Sequence, residues 1–115
     1  MNNYIEICTW TGYSYEEMNV RFADDKLDRL ETELRYNAGF SPAVVKAFRM
    51  RMQQIRAAVD ERDLRSQKSL HFEKLEGTRQ HQHSMRLNKQ YRLIVELEGR
   101  SHRKVVAIIG IEDYH

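Results

Sequence analysis

The sequence is poor in the residues that build disulfide-rich, metal-bound or membrane-spanning proteins. Its 115 residues include 1 Cys, 1 Pro and 5 Gly. A lone Cys8 cannot form an internal disulfide, a zinc knuckle or a thiolate-bound iron–sulfur cluster. The longest apolar run, Val105 to Ile109, is far shorter than the roughly 20 residues that cross a bilayer. Residues 1–18 also lack the basic and apolar segments of a secretory signal. We therefore expect a cytoplasmic protein with no membrane partner.

The length of the chain limits what it can contain. A chain of 115 residues forms one compact domain with one modest core. A deep interior filled by a cofactor is hard to build at this size, so we expect no cofactor and no metal, and we expect any chemistry in a surface groove. We assign residues 19–115 to this domain and residues 1–18 to an N-terminal extension of unknown role.

Charge is distributed unevenly along the chain. Residues 1–43 carry 4 Lys or Arg against 8 Asp or Glu, whereas residues 44–104 carry 15 against 7. A basic block of this kind favours a polyanion or an acidic protein as partner, because clustered positive charge speeds encounter and releases counterions from nucleic acid. The alternative from charge alone is a solvated basic helix face.

Hydrophobic periodicity predicts a strand and two helices in the first half. Residues 19–23 alternate and predict a strand, after which Asp24 or Asp25 can cap a helix that Gly39 ends. Ser41-Pro42 is a strong helix start, and the apolar spacing predicts a second helix to about Asp60. The core positions predicted for these helices are Leu27, Leu30, Leu34, Val44 or Val45, Phe48, Met52, Ile55 and Val59. The second helix's arginines, including Arg49 and Arg51, are expected to face solvent.

The second half predicts an antiparallel meander of three strands. After a polar stretch at residues 62–69, alternation begins at residues 84–88, continues over 91–97 after an Asn88-Lys89-Gln90 turn, and returns over 104–111. The fold class is therefore α+β, with an N-terminal strand and an antiparallel helix hairpin packed on a C-terminal meander. One sheet face covers the helices, and the other presents Ser84 and Arg86 with Arg92 near the turn.

The last three residues, Asp113, Tyr114 and His115, carry groups suited to acid–base chemistry. Metal-free RNA cleavage needs a proton removed from the 2′-hydroxyl, cations at the phosphate and a proton given to the departing oxygen. The fixed charge and planar fork of Arg86 and Arg92 suit the phosphate. The pair His81 and His83 has no further ligand cluster, which argues against zinc.

Three segments together resemble HigB toxins of the RelE/ParE superfamily. They are Leu70-His71-Phe72-Glu73-Lys74-Leu75-Glu76-Gly77, Ser84-Met85-Arg86-Leu87-Asn88-Lys89-Gln90-Tyr91-Arg92-Leu93 and Glu112-Asp113-Tyr114-His115. The resemblance implies a RelE-like fold and a type II toxin that cleaves mRNA on the 70S ribosome. It also implies a helix-turn-helix, HigA-like antitoxin that silences the toxin, and contact with operator DNA only through that antitoxin.

The resemblance also implies roles for particular residues. The catalytic positions are His115, Tyr114, Asp113, Arg92 and Arg86, and the substrate-binding positions are His71, Glu73, Lys74, Arg79 and Ser84. The family often has a His shortly before the glycine turn, where this chain has Glu73, with His71 two residues earlier. That difference leaves open whether His71 substitutes for it.

Two other functions fit the same fold. One is a ParE-like toxin that inhibits DNA gyrase by binding without hydrolysis, and the other is a basic binding module that has lost activity. The Asp-Tyr-His ending favours the nuclease, because a protein that only binds has no chemical need for it.

Overall fold

The computed structural model describes residues 18–99 and 104–113. Cys8, Tyr114 and His115 lie outside the described residues, as does the predicted extension apart from Met18, which is buried in the core. The described elements follow the order β1 (Asn19–Phe22), α1 (Asp25–Thr32), α2 (Pro42–Ala57), α3 (Glu61–Ser66), β2 (Glu73–Lys74), β3 (Gln82–Arg86), β4 (Tyr91–Glu98) and β5 (Val105–Asp113). Short 3-10 turns lie at Lys68–Leu70 and Gly77–Arg79. The predicted α+β class is confirmed.

The five strands form one mixed sheet in the order β1-β5-β4-β3-β2. The pairs β2·β3, β3·β4 and β4·β5 are antiparallel, so the predicted three-strand meander is present as β3, β4 and β5. Strand β1 pairs parallel to β5, with Val20 opposite Val106. The two ends of the described chain segment therefore meet at one edge of the sheet, and the short β2 forms the other edge.

Both long helices begin where the sequence predicts. The Asp24 side chain accepts a hydrogen bond from the Lys26 amide at 2.9 Å, and the Ser41 hydroxyl accepts one from the Val44 amide at 3.3 Å. These acceptors satisfy amides that have no partner inside the helix. Pro42 occupies the first helical turn, where its missing N–H has no cost.

Helix α1 ends at Thr32 instead of continuing to Gly39. The cause is Arg49 of α2, whose guanidinium donates to the carbonyls of Leu30 at 2.9 Å and Glu33 at 2.8 Å. The expectation that Arg49 faces solvent is therefore wrong, since it caps α1. Leu34, predicted as a core residue, lies beyond this end and is 83% exposed.

Helix α2 ends at Ala57, and the polar stretch after it contains the additional helix α3. The Asp63 carboxylate accepts from the Val59 amide at 2.7 Å, and Asp60 caps α3 by accepting from the Arg62 amide at 2.9 Å. These two aspartates turn the chain, which leaves Val59 51% exposed instead of in the core.

The core lies between α2 and one face of the sheet. Phe48, Met52 and Ile55 are buried on the inner side of α2. They join buried side chains of the three central strands, namely Met85, Leu93, Val95, Val106 and Ile108. Each such side chain contributes roughly 1.5–3 kcal/mol by leaving water. None of the helices described in residues 18–99 and 104–113 has the length and hydropathy of a membrane span.

Candidate functional site

The two faces of the sheet differ in what they carry. Alternation along β4 directs Leu93 and Val95 to the helices and Arg92 and Ile94 to the opposite side. We call the side without the core helices the open face. On it the strand register aligns Arg86 of β3, Arg92 of β4 and Glu112 of β5 in one row, which we call the arginine row.

Arg86 and Arg92 lie directly opposite each other in the β3·β4 pair. Opposed residues on one face have Cβ atoms about 4.5–5.5 Å apart, where like charges destabilise a sheet. This opposition disfavours folding but places two guanidinium groups together. It is typical of an anion-binding site. The Arg86 side chain is half-buried, and the described residues give it no hydrogen bond or ion pair.

The backbone beneath Arg86 is anchored by helix α2. The Arg51 Nε donates to the Arg86 carbonyl at 2.7 Å, and Arg51 Nη1 donates to the Gln54 side chain at 3.0 Å. Partial burial lowers the pKa of Arg51, although a guanidinium keeps its charge at neutral pH. The prediction that Arg51 faces solvent is wrong, because it ties α2 to the end of β3.

Arg92 contacts groups of the described chain on the β2 and β3 side. Its Nη1 donates to the Ser84 hydroxyl at 3.2 Å and to the His71 carbonyl at 3.4 Å. Its Nη2 lies 3.6 Å from Glu73 Oε1, and only 11% of the Arg92 side chain is exposed. These contacts fix the direction of the guanidinium, so Arg92 forms the rigid base of the row and Arg86 its more accessible part.

His71 supports Arg92 through its backbone instead of its ring. It follows the 3-10 turn at Lys68–Leu70 in a left-handed conformation, with φ of 50°. The segment is therefore not extended at His71, and its exposed side chain does not share a face with Glu73 by strand alternation. The His71 carbonyl turns towards Arg92 as a result.

Glu112, the third member of the row, is bound by Arg79. The two side chains form a bidentate pair, with Arg79 Nη1 and Nη2 at 3.0 and 2.7 Å from the Glu112 carboxylate oxygens. Arg79 Nε also donates to the Gln82 side chain at 2.9 Å. The hydrogen bonds to Glu112 raise the pKa of Arg79. Since Gln82 lies on β3 and Glu112 on β5, Arg79 spans the open face of β4 above the buried Ile94.

The structure brings together only some of the residues singled out from the sequence. Arg86, Arg92, Ser84 and Glu73 lie on the open face, and Arg79 crosses it. Ser84 is buried beneath Arg92, so it holds the arginine instead of offering a free hydroxyl to a substrate.

Lys74 and Asp113 lie on the other side of the sheet. Lys74 pairs with His83, and Asp113 pairs with Tyr91, both of which belong to the helical side by alternation. The Asp113 carboxylate accepts a hydrogen bond from Gln90 at 3.1 Å. The register therefore places Asp113 on the side of the sheet opposite that of Arg86 and Arg92. Tyr114 and His115 are outside the described residues.

Sequence reasoning gave no role to Glu112 and Gln82. Strand alternation carries a signal for Gln82, which is separated by even numbers of residues from Ser84 and Arg86 on the open face. Glu112 lies on the open face because of the irregularity in the β4·β5 register, which alternation from the buried Val106 and Ile108 does not predict. Among the described residues, no three His, Cys, Asp or Glu side chains form a group that could hold a metal ion.

Comparison with known proteins agrees with this architecture. Residues 20–110 match the protein family described as "RelE-like toxin of type II toxin-antitoxin system HigB". No curated protein matches the sequence.

Two solved structures share the fold. A YoeB/ParE toxin from Agrobacterium tumefaciens superposes with a TM-score of 0.54 at 15% identity, covering 85% of this chain and 100% of that one. A YoeB-YefM complex from Staphylococcus aureus gives a TM-score of 0.52 at 17% identity, with 85% and 97% covered. At such low identity these structures establish the fold alone.

Proposed function

We propose that this chain, which belongs to the family of RelE-like HigB toxins of type II toxin–antitoxin systems, is an endoribonuclease that cleaves mRNA on the ribosome. The observation that carries the proposal is the opposition of Arg86 and Arg92 on the open face. Two opposed cations destabilise a sheet, and such local destabilisation is typical of a functional site, here one that binds an anion. The phosphodiester of RNA is an anion whose oxygens match the guanidinium fork.

The two arginines supply the electrostatic part of the reaction. Attack by the 2′-hydroxyl on the adjacent phosphorus adds negative charge to the phosphate oxygens, and fixed cations aimed at those oxygens stabilise the transition state. Arg92 is already oriented by Ser84 and Glu73, so it need not reorganise when the charge develops. Arg86 is the more exposed group and contacts the phosphate from the neighbouring strand.

The proposal assigns the proton transfers to the end of the chain. His115 takes or gives a proton near neutral pH, and Tyr114 stacks on a base or shares the proton transfer. Both follow β5 immediately, beyond Glu112 of the arginine row. Asp113 has no direct contact with the phosphate in this proposal, since its register partner is Tyr91. It acts on the reaction only through the two residues after it.

The proposed partners follow from the family. They are mRNA in the 70S ribosome of the cytoplasm and a helix-turn-helix, HigA-like antitoxin, with operator DNA contacted only through that antitoxin. One of the structures with the same fold is described as a YoeB-YefM complex, which supports a partner protein for this chain as well. The excess of basic residues between 44 and 104 supports an RNA-rich surface as the place of action.

The experiment is mRNA cleavage in a reconstituted translation system, mapped by primer extension. Wild-type protein is expected to cut the message. Arg86→Ala is expected to cut it at least roughly 100-fold more slowly, because that is the usual effect of removing one hydrogen-bond donor to the transition state. Arg35→Ala is the matched control, because it removes one exposed arginine in the loop between α1 and α2. Its cleavage rate should equal that of wild type.

The contradicting result is intact mRNA with wild-type protein on actively translating ribosomes. Intact mRNA together with DNA damage on expression would favour the gyrase-inhibitor alternative. Intact mRNA with harmless overexpression would favour an inactive binding module.

A further inference from the structure

The arginine row contains an acidic residue at a position where it should weaken anion binding. Glu112 lies opposite Arg92 in the β4·β5 register, as Arg86 does in the β3·β4 register. Directly opposed side chains are close enough for a carboxylate to pair with a guanidinium. A Glu112–Arg92 pair would add a second carboxylate beside Glu73 at this guanidinium and would lower the positive charge that attracts a phosphate.

The structure gives this carboxylate a different partner. Arg79 binds both Glu112 oxygens, at 3.0 and 2.7 Å, and is itself oriented by Gln82. The Arg92 guanidinium contacts Ser84 and Glu73. Each of the two opposed residues therefore has partners of its own, and the contacts of the described residues include no Glu112–Arg92 pair.

The position of Arg79 depends on the local backbone. It ends the 3-10 turn Gly77–Arg79, where Gly77 has a φ of 67° that favours glycine, and the Gln80 amide donates to the Gly77 carbonyl. This turn sets the start of the Arg79 side chain beside β3. Its length then allows the guanidinium to reach β5 across β4.

We propose that Arg79 is a positioning residue that keeps the Glu112 carboxylate away from Arg92 and so preserves the anion-binding charge of the arginine row. The inference rests on the proposed function for its substrate, RNA. It differs from the substrate-binding role that the resemblance implies for Arg79, since here Arg79 acts through Glu112. Without Arg79, the released carboxylate pairs with Arg92 and competes with the phosphate.

The test is binding of a fluorescein-labelled single-stranded RNA oligonucleotide to the purified chain, measured by fluorescence anisotropy at fixed low salt. Arg79→Met keeps an apolar stem above Ile94 while removing the charge. It should weaken RNA binding about tenfold, because the released Glu112 would cost one charged hydrogen bond between Arg92 and the phosphate. The double variant Arg79→Met with Glu112→Gln should restore affinity to near the wild-type value.

Two controls separate this local effect from net charge. Arg21→Met breaks the Arg21–Glu98 pair on the same face, where Glu98 has Val105 as its register partner and no opposed arginine. It should weaken binding less than Arg79→Met. Arg79→Met with Glu98→Gln has the same net charge as the rescued double variant, and it should stay weak. Thermal unfolding of each variant checks that it is folded.

The inference is overturned if Glu112→Gln fails to rescue Arg79→Met, which would place Arg79 itself on the RNA. It is also overturned if Glu98→Gln rescues equally well or if wild-type protein does not bind the RNA. Cleavage assays distinguish the two proposals. If the variants show the expected binding pattern but no mRNA is cleaved, the role of Arg79 stands and the nuclease activity is refuted. If mRNA is cleaved but the binding pattern is absent, the nuclease activity stands and the role of Arg79 is refuted.

Discussion

His83 should make folding stability depend on pH. Its ring is buried on the helical side of β3 and stacks on Phe72, with centroids 4.7 Å apart and an interplanar angle of 7°. Neither ring nitrogen has a hydrogen-bond partner among the described residues. Burial lowers the pKa of His83, and the nearby cations Arg65 and Lys74 lower it further, against an opposing effect of Glu61.

The sign and size of the effect follow from proton linkage. Because the folded state has the lower pKa, the unfolded chain takes up the proton first as pH falls through about 6.5. Stability is therefore complete above that pH and is lost below it. The loss has an upper limit of roughly 1 kcal/mol for each pH unit below that value, because one pKa unit corresponds to about that much free energy.

Urea unfolding at pH 7.5 and pH 5.5 measures this loss. Wild-type protein should lose more stability on acidification than His83→Phe, by up to roughly 1 kcal/mol, because the variant keeps the stacking and removes the titration. His71→Gln is the matched control, because it removes an exposed imidazole, and it should behave as wild type. Equal acid losses in wild type and His83→Phe would refute the argument.

Three further predictions concern folding and toxicity. Met52→Ala, at a fully buried position, should lower the free energy of unfolding by roughly 2–5 kcal/mol in urea titration, and an effect below about 1 kcal/mol would contradict the assigned core. Ser41→Ala removes the cap of α2 and should cost about 1 kcal/mol by the same assay, with Ser66→Ala near neutral because it removes no such cap. A C-terminal tag should crowd His115 and reduce toxicity in growth curves, while an N-terminal tag should not; equal curves would contradict a site at the end of the chain.

Much of the fold could be predicted because its signals are local. The apolar spacing of Phe48, Met52 and Ile55 and the Ser41-Pro42 start define α2, and alternation defines the three meander strands. The helix ends could not be predicted in the same way. They depend on Arg49 and Asp63. Arg49 of α2 contacts the end of α1, and Asp63 of α3 contacts the chain after α2, so neither contact can be derived from the periodicity of a single helix.

The candidate site was predicted in part for a similar reason. Alternation places Ser84, Arg86 and Arg92 on one face without knowledge of the partner strands. The side of Asp113 depends on the β4·β5 register, which contains an irregularity between Ile94 and Val95. Such a bulge adds one residue to a strand and reverses the side that alternation predicts beyond it. The long-range pair of Arg79 and Glu112 has no sequence pattern at all.

The chemistry of the cut ends tests the central claim most directly. If Arg86 and Arg92 stabilise a phosphate attacked by its own 2′-hydroxyl, mass spectrometry of the cleaved mRNA should find a 2′,3′-cyclic phosphate on the upstream fragment and a 5′-hydroxyl on the downstream one. A 5′-phosphate on the downstream fragment would show that water or hydroxide attacks instead, and it would contradict the mechanism proposed for the arginine row.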